Sequence, residues 1–123
     1  MEEVIRIFFL LMVAHAVADF ALQSDTMSKG KNRNKKPDYI PAGQKYCACW
    51  PYWLGAHSLI AGGAVYAVTG LLSLGIFETV AHWIIDFLRC ENLTTPHRDQ
   101  FDHIVLRVCY AGIWYLGVIK GVL

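Results

Sequence analysis

The stretch VIRIFFLLMVAHAVADFAL, residues 4–22, is apolar throughout except for Arg6, His15 and Asp19. At about 1.5 Å per residue, a helix of this length crosses the roughly 30 Å hydrocarbon core of a bilayer. An ionisable side chain in that core costs roughly 2.5–3.5 kcal/mol even on the mildest scales. His15 and Asp19 are four positions apart, so both lie on one helix face and must turn toward partners inside the protein. The reading is therefore a membrane helix with one polar face.

The rest of the chain follows the same pattern. Its 123 residues are 55% hydrophobic and 17% charged, against about 45–50% and 25% in soluble domains. No Asp, Glu, Lys or Arg occurs between Trp50 and Phe77, and only Lys120 after Arg107. Further spans are expected at about 53–69, 71–89 and 103–121. The fold class is all-α, an antiparallel polytopic bundle of four transmembrane helices in a single domain covering residues 1–123. The break between the second and third spans is expected at TGLLSLG, Thr69 to Gly75, with one very long helix as the competing reading. Small residues at Gly55, Ala56, Ala61, Gly62, Gly63 and Ala64 would admit close helix neighbours. The start MEEVIRIFF is acidic where a signal peptide would be basic, so the first span is expected to be retained.

Basic residues gather in one stretch, about residues 24–50, at Lys29, Lys31, Arg33, Lys35, Lys36 and Lys45, with Asp38 among them. By the positive-inside rule this loop is expected in the cytoplasm, with both termini outside. Trp50, Tyr52 and Trp53 stand where an interfacial aromatic belt belongs. Anchorage explains the basic stretch, and contact with anionic membrane lipids is the functional alternative. The net charge of +1 and the lack of a recognisable nucleic-acid-binding fold give no reason to expect a nucleic-acid partner. Cys47 and Cys49 are too close for a good disulfide and lack the second half of a zinc ribbon. Cys90 and Cys109 read as interfacial and core residues.

The polar residues of the spans carry the chemistry. They are His15 and Asp19 in the first, His57 in the second, Glu78, His82 and Asp86 in the third, and Asp99, Asp102 and His103 at the start of the fourth. In an antiparallel bundle, Asp19, His57, Asp86 and His103 fall within about a turn of the same level, with His15 and His82 one turn deeper. A buried hydrogen-bond network fixing helix packing is the plain explanation. Several carboxylates in low dielectric would nonetheless repel one another without cations. His15, Asp19, His57, His82, Asp86, Asp99 and His103 are therefore candidate ligands for one or two divalent ions, with zinc first and iron or manganese also compatible. Asp99 or Glu78 could serve as a general base. Arg107 is expected in an ion pair, Asp102 to point away, and His97 to be exposed.

The motifs AHAVADFALQ, His57, HWIIDF and DQFDH resemble a family of small bacterial and phage integral membrane proteins known as domain of unknown function (DUF) 3307. The resemblance implies a shared set of His15, Asp19, Gln23, His57, His82, Asp86, Asp99, Gln100 and His103. It also implies a bacterial inner-membrane location. One departure is Ala61, which stands where relatives often carry a second histidine of an H-x-x-x-H-G motif. A weaker similarity is to membrane-bound metal-dependent hydrolases. The leading functional expectation is a metal-dependent hydrolase acting on a lipid-like or phosphoester substrate. The alternatives are an ion or metal transporter or channel component, for which a homo-oligomer would be needed, and a non-catalytic membrane protein with a structural polar layer.

Overall fold

The computed structural model describes residues 1–36, 43 and 48–121, and within them the chain is all-helical. Helix α1 spans Glu2–Ala16, with Glu2 and Glu3 in its first turn, where the helix dipole favours negative charge. It runs on into a π-helical turn, Val17–Ala21, closed by a bond from the Leu22 N–H to the Val17 carbonyl (2.8 Å). Helix α2, Asp25–Gly30, is capped by Ser24, whose hydroxyl accepts from the Met27 N–H at 3.1 Å. Helix α3 covers Trp50–Thr69 and α4 covers Leu72–Cys90. Helix α5 covers Pro96–Ile119, capped by Thr95 and opened by Pro96. Among the described residues two helices are long and apolar enough to cross a membrane, α1 with its π turn (Glu2–Ala21) and α5.

The long helices pack side by side: α3 against α4, α1 against α3 and α5, and α4 against α5, with α2 lying on α3. The α3–α4 break is at Gly70, the only residue of that connection with positive φ (+71°). Gly75 is instead a packing residue inside α4. A Cβ on Gly62 would collide with the Thr79 hydroxyl and the Gly75 carbonyl, and one on Gly75 would meet the Gly62 carbonyl and Tyr66. These two glycines form the close approach of α3 and α4. Gly55 and Gly63 have open space before them and Ala56 is exposed, so they do not serve that role.

Several sequence expectations shift. Helix α5 starts at Pro96 rather than 103, because the Thr95 cap and Pro96 nucleate a helix through the polar segment HRDQFDH. Asp99 and Asp102 are therefore helical, His97 is an exposed residue of the first turn, and His103 lies well inside the helix. The basic stretch opens as α2 rather than as a loop, and its Arg33 forms two N–H bonds to Glu91, both 2.7 Å. Those bonds hold the Glu91 carboxyl below its ordinary pKa range. Cys90 is buried but Cys109 is exposed, so Cys109 is not a core residue. Asp38, Lys45 and Cys47 lie outside the described residues.

Packing at the α3–α4 contact sets a test. Gly62→Val is expected to destabilise the protein by about 1–3 kcal/mol through overpacking. Gly63→Ala, facing open space, is expected to leave stability within about 0.5 kcal/mol or raise it. Thermal unfolding of both variants in detergent checks the pair, and equal losses would contradict the assigned contact.

Candidate metal centre

Burial in this protein is inverted. Large apolar side chains such as Phe9 (64% exposed) and Phe77 (57%) face outward, while Glu78, His82 and His103 are completely buried. One apolar cluster of Ile7, Leu11, Val65, Leu74, Tyr110 and Ala111 forms the core toward one end. Against it rests a layer of polar side chains from all four long helices.

The layer begins at Glu78. Its carboxylate accepts from Arg107 Nη2 (2.7 Å) and from the Tyr110 hydroxyl (2.8 Å), and lies 3.1 Å from His82 Nδ1. A carboxylate bonded to a guanidinium is ionised and can only accept, so His82 Nδ1 carries a proton and donates it. In neutral His82 this leaves the Nε2 lone pair as the outward-facing atom. Nε2 lies 3.1 Å from His57 Nε2, 3.4 Å from Asp19 Oδ1 and 3.7 Å from Asp86 Oδ2. His57 Nε2 is in turn 3.3 Å from Asp86 Oδ2 and 3.7 Å from Asp19 Oδ1.

Asp19 ties the helices together from within the π turn. Its Oδ1 faces α3 and α4, while Oδ2 lies 3.6 Å from His15 Nδ1 and 3.4 Å from Gln100 Nε2. An extra residue in one helical turn is a feature that recurs at functional sites. Gln100 also meets His15 Nε2 at 3.2 Å and Asp99 Oδ2 at 3.3 Å. Gln23 donates to the Asp19 carbonyl at 3.0 Å. The His103 ring lies 4.3 Å from that of His82 and 5.2 Å from that of His15, centroid to centroid.

Among the described residues, three buried sets bring one ligand atom from each member within 4.8 Å of the others: Asp19, His82 and His103; His57, His82 and Asp86; and Asp86, Asp99 and His103. Six of the seven residues expected from sequence thus meet in overlapping sets. His15 lies at their edge and belongs to none of them among the described residues. Several buried atoms have no hydrogen-bond partner among the described residues, including both His103 nitrogens, Asp19 Oδ1 and Asp99 Oδ1. Buried polar atoms are rarely left so. Imidazole nitrogens and carboxylate oxygens are a ligand set suited to a divalent ion.

Arg107 is in the expected ion pair, and Asp102 points away to Arg98 at 2.9 Å. Two participants were missed in the sequence. Lys31, read as part of a basic cytoplasmic loop, places its ammonium 2.6 Å from Asp86 Oδ2 with a side chain only 12% exposed. Its signal was the Ser24 cap before DTMSKG, which starts a helix and carries the following lysine back to the layer. Tyr110 was legible as the residue one turn beyond Arg107, on the same face.

Fold and site define an all-helical protein with two helices able to span a membrane and with buried His/Asp clusters capable of coordinating a metal ion. The chain belongs to the DUF3307 family, described as a protein of unknown function, whose model matches residues 7–116. That range includes every residue of the polar layer. No curated protein and no solved structure matches the chain.

The Glu78–Arg107 pair generates a prediction. Glu78→Leu leaves a buried guanidinium uncompensated and is expected to cost about 3–5 kcal/mol. The double variant Glu78→Leu/Arg107→Leu is expected to recover most of that loss. Thermal unfolding in detergent compares them, and a double variant less stable than the single one would contradict the pairing.

Proposed function

We propose that this protein is a polytopic membrane protein that binds a divalent metal ion, zinc first, in the layer formed by Asp19, His57, His82, Asp86, Asp99 and His103. The carrying observation is the convergence of acceptors. Two imidazole nitrogens 3.1 Å apart face two carboxylates, and only one proton can lie between the two rings. Charge supports the same reading. The buried carboxylates Asp19, Glu78, Asp86 and Asp99 are opposed by two permanent cations, Arg107 and Lys31. The layer therefore carries excess negative charge that a divalent cation offsets. Glu78 takes the part of an orienting residue, holding the His82 tautomer as carboxylates do behind metal-bound histidines.

Membrane embedding is supported by the inverted burial. The most apolar windows of α1 with its π turn and of α5 are only 28% and 22% buried, whereas a soluble core helix would be mostly covered. In this reading all four long helices cross the bilayer and the α2 side faces the cytoplasm, as the basic residues there direct.

The site's chemistry favours cation handling over catalysis. Glu78 is occupied by three donors, which removes it as a base. The apolar cluster around Leu11 and Val65 closes the far side of a single chain, so a pathway for the ion would require a homo-oligomer, and the chain is read as the metal-binding component of such a transporter or channel. One observation keeps the hydrolase as a second reading: Asp86 and Asp99 both border an open polar cavity of about 420 Å³, large enough for a small substrate.

Detergent-purified protein is expected to hold one or two zinc ions per chain by elemental analysis, lost in His82→Ala. A chelator is expected to lower its unfolding temperature. Metal-free protein indifferent to chelator would overturn the reading. Zinc flux into proteoliposomes without phosphoester turnover supports transport, and turnover without flux supports the hydrolase.

Lys31 supplies a second prediction. Lys31→Met removes the ammonium that competes for Asp86 and is expected to tighten zinc binding, measured by competition with a chromogenic chelator. Unchanged or weaker binding would show that Lys31 does not occupy a ligand position.

A further inference from the structure

We infer that the cavity between α2 and the α4–α5 turn binds a phosphate group, and that it does so when the metal layer beneath it is filled; this rests on the metal-binding reading above. The cavity, about 420 Å³, is bordered by Lys31, Lys35, Arg89 and Asn92, with Asp86 and Asp99 at its metal-layer side. Three cationic side chains thus line one cavity. The side chains of Lys35 and Arg89 make no hydrogen bond or ion pair among the described residues, although Arg89 is half-buried. An arginine lining a cavity with no acid partner is set for an anionic ligand, and its planar fork matches phosphate oxygens.

The metal decides when these cations are available. Without it, the Lys31 ammonium is committed to Asp86 at 2.6 Å, and the carboxylates of Asp86 and Asp99 repel an anion. A divalent ion on those two carboxylates cancels their charge and takes the position Lys31 held. Lys31 then has no carboxylate partner in the cavity and joins Lys35 and Arg89 in facing the ligand. Metal and phosphate therefore bind with positive coupling, and by linkage each raises the other's affinity by the same factor.

The shared chemistry is a phosphate with at least two unesterified oxygens, supplied by a soluble phosphate or by a phosphomonoester lipid headgroup. The test titrates inorganic phosphate into full-length protein, metal-free and zinc-loaded, followed by ³¹P NMR with zinc content measured on the same samples. Zinc loading is expected to tighten phosphate binding about tenfold, within the usual range of coupling between sites. Lys35→Gln/Arg89→Gln is expected to abolish that gain while zinc content is unchanged. Nanodiscs containing phosphatidic acid separate the sources. Competition by the lipid assigns the site to a headgroup, and its absence assigns it to soluble phosphate. Zinc-loaded protein that binds phosphate no better than metal-free protein overturns this inference alone, as does a double variant that retains the gain. A chain that takes up no zinc overturns the metal centre and this site with it.

Discussion

Two histidine nitrogens facing each other at 3.1 Å between two carboxylates form the constraint on which the rest of the structure depends. Neutral imidazoles in that position share a single proton, and the carboxylates bring none. Such a group is stable only around positive charge, whether a proton on His82, the Lys31 ammonium or a metal ion. These three compete for one place. In low dielectric the competition is severe, because an uncompensated buried charge costs several kcal/mol.

The surrounding architecture keeps that place open. Behind His82, Glu78 is fixed by Arg107 and Tyr110, so one ring nitrogen is committed and the other points into the layer. Beside it, the π turn puts Asp19 where its two oxygens reach α3, α4 and α5 together. Gln100 meets one polar atom each of His15, Asp19 and Asp99 on one edge. On the other side the close contact of Gly62 and Gly75 brings α3 and α4 near enough for His57 and His82 to meet. Backbone packing and site geometry are thus one problem, solved with small residues one or two turns from the ligands.

Much of this was legible in the sequence. The i,i+4 spacing of His15 with Asp19 and of His82 with Asp86 placed each pair on one face, and counting residues from the ends of apolar runs placed them at one level. The four helices were read from the apolar runs, and the meeting of their polar residues in one layer followed from those two facts. What was not legible depended on geometry that periodicity does not encode. The π turn adds a residue without changing composition. Helix α5 extends through HRDQFDH because a threonine cap and a proline outweigh its polarity. Lys31 looked like one of several lysines anchoring a basic loop, since only the fold of α2 returns it to Asp86. The small residues of α3 were indistinguishable in sequence, yet Gly62 makes the contact and Gly63 faces open space.

The central claim is that histidine nitrogen and carboxylate oxygen together coordinate a divalent ion in this layer. X-ray absorption spectroscopy of zinc-loaded protein in detergent tests it most directly. The predicted spectrum shows a first shell of nitrogen and oxygen only, near 2.0–2.2 Å, with the outer-shell scattering of at least two imidazoles, and loses that scattering in His57→Ala/His82→Ala. A shell containing sulfur, or one without imidazole scattering, would place the metal elsewhere and contradict the assignment.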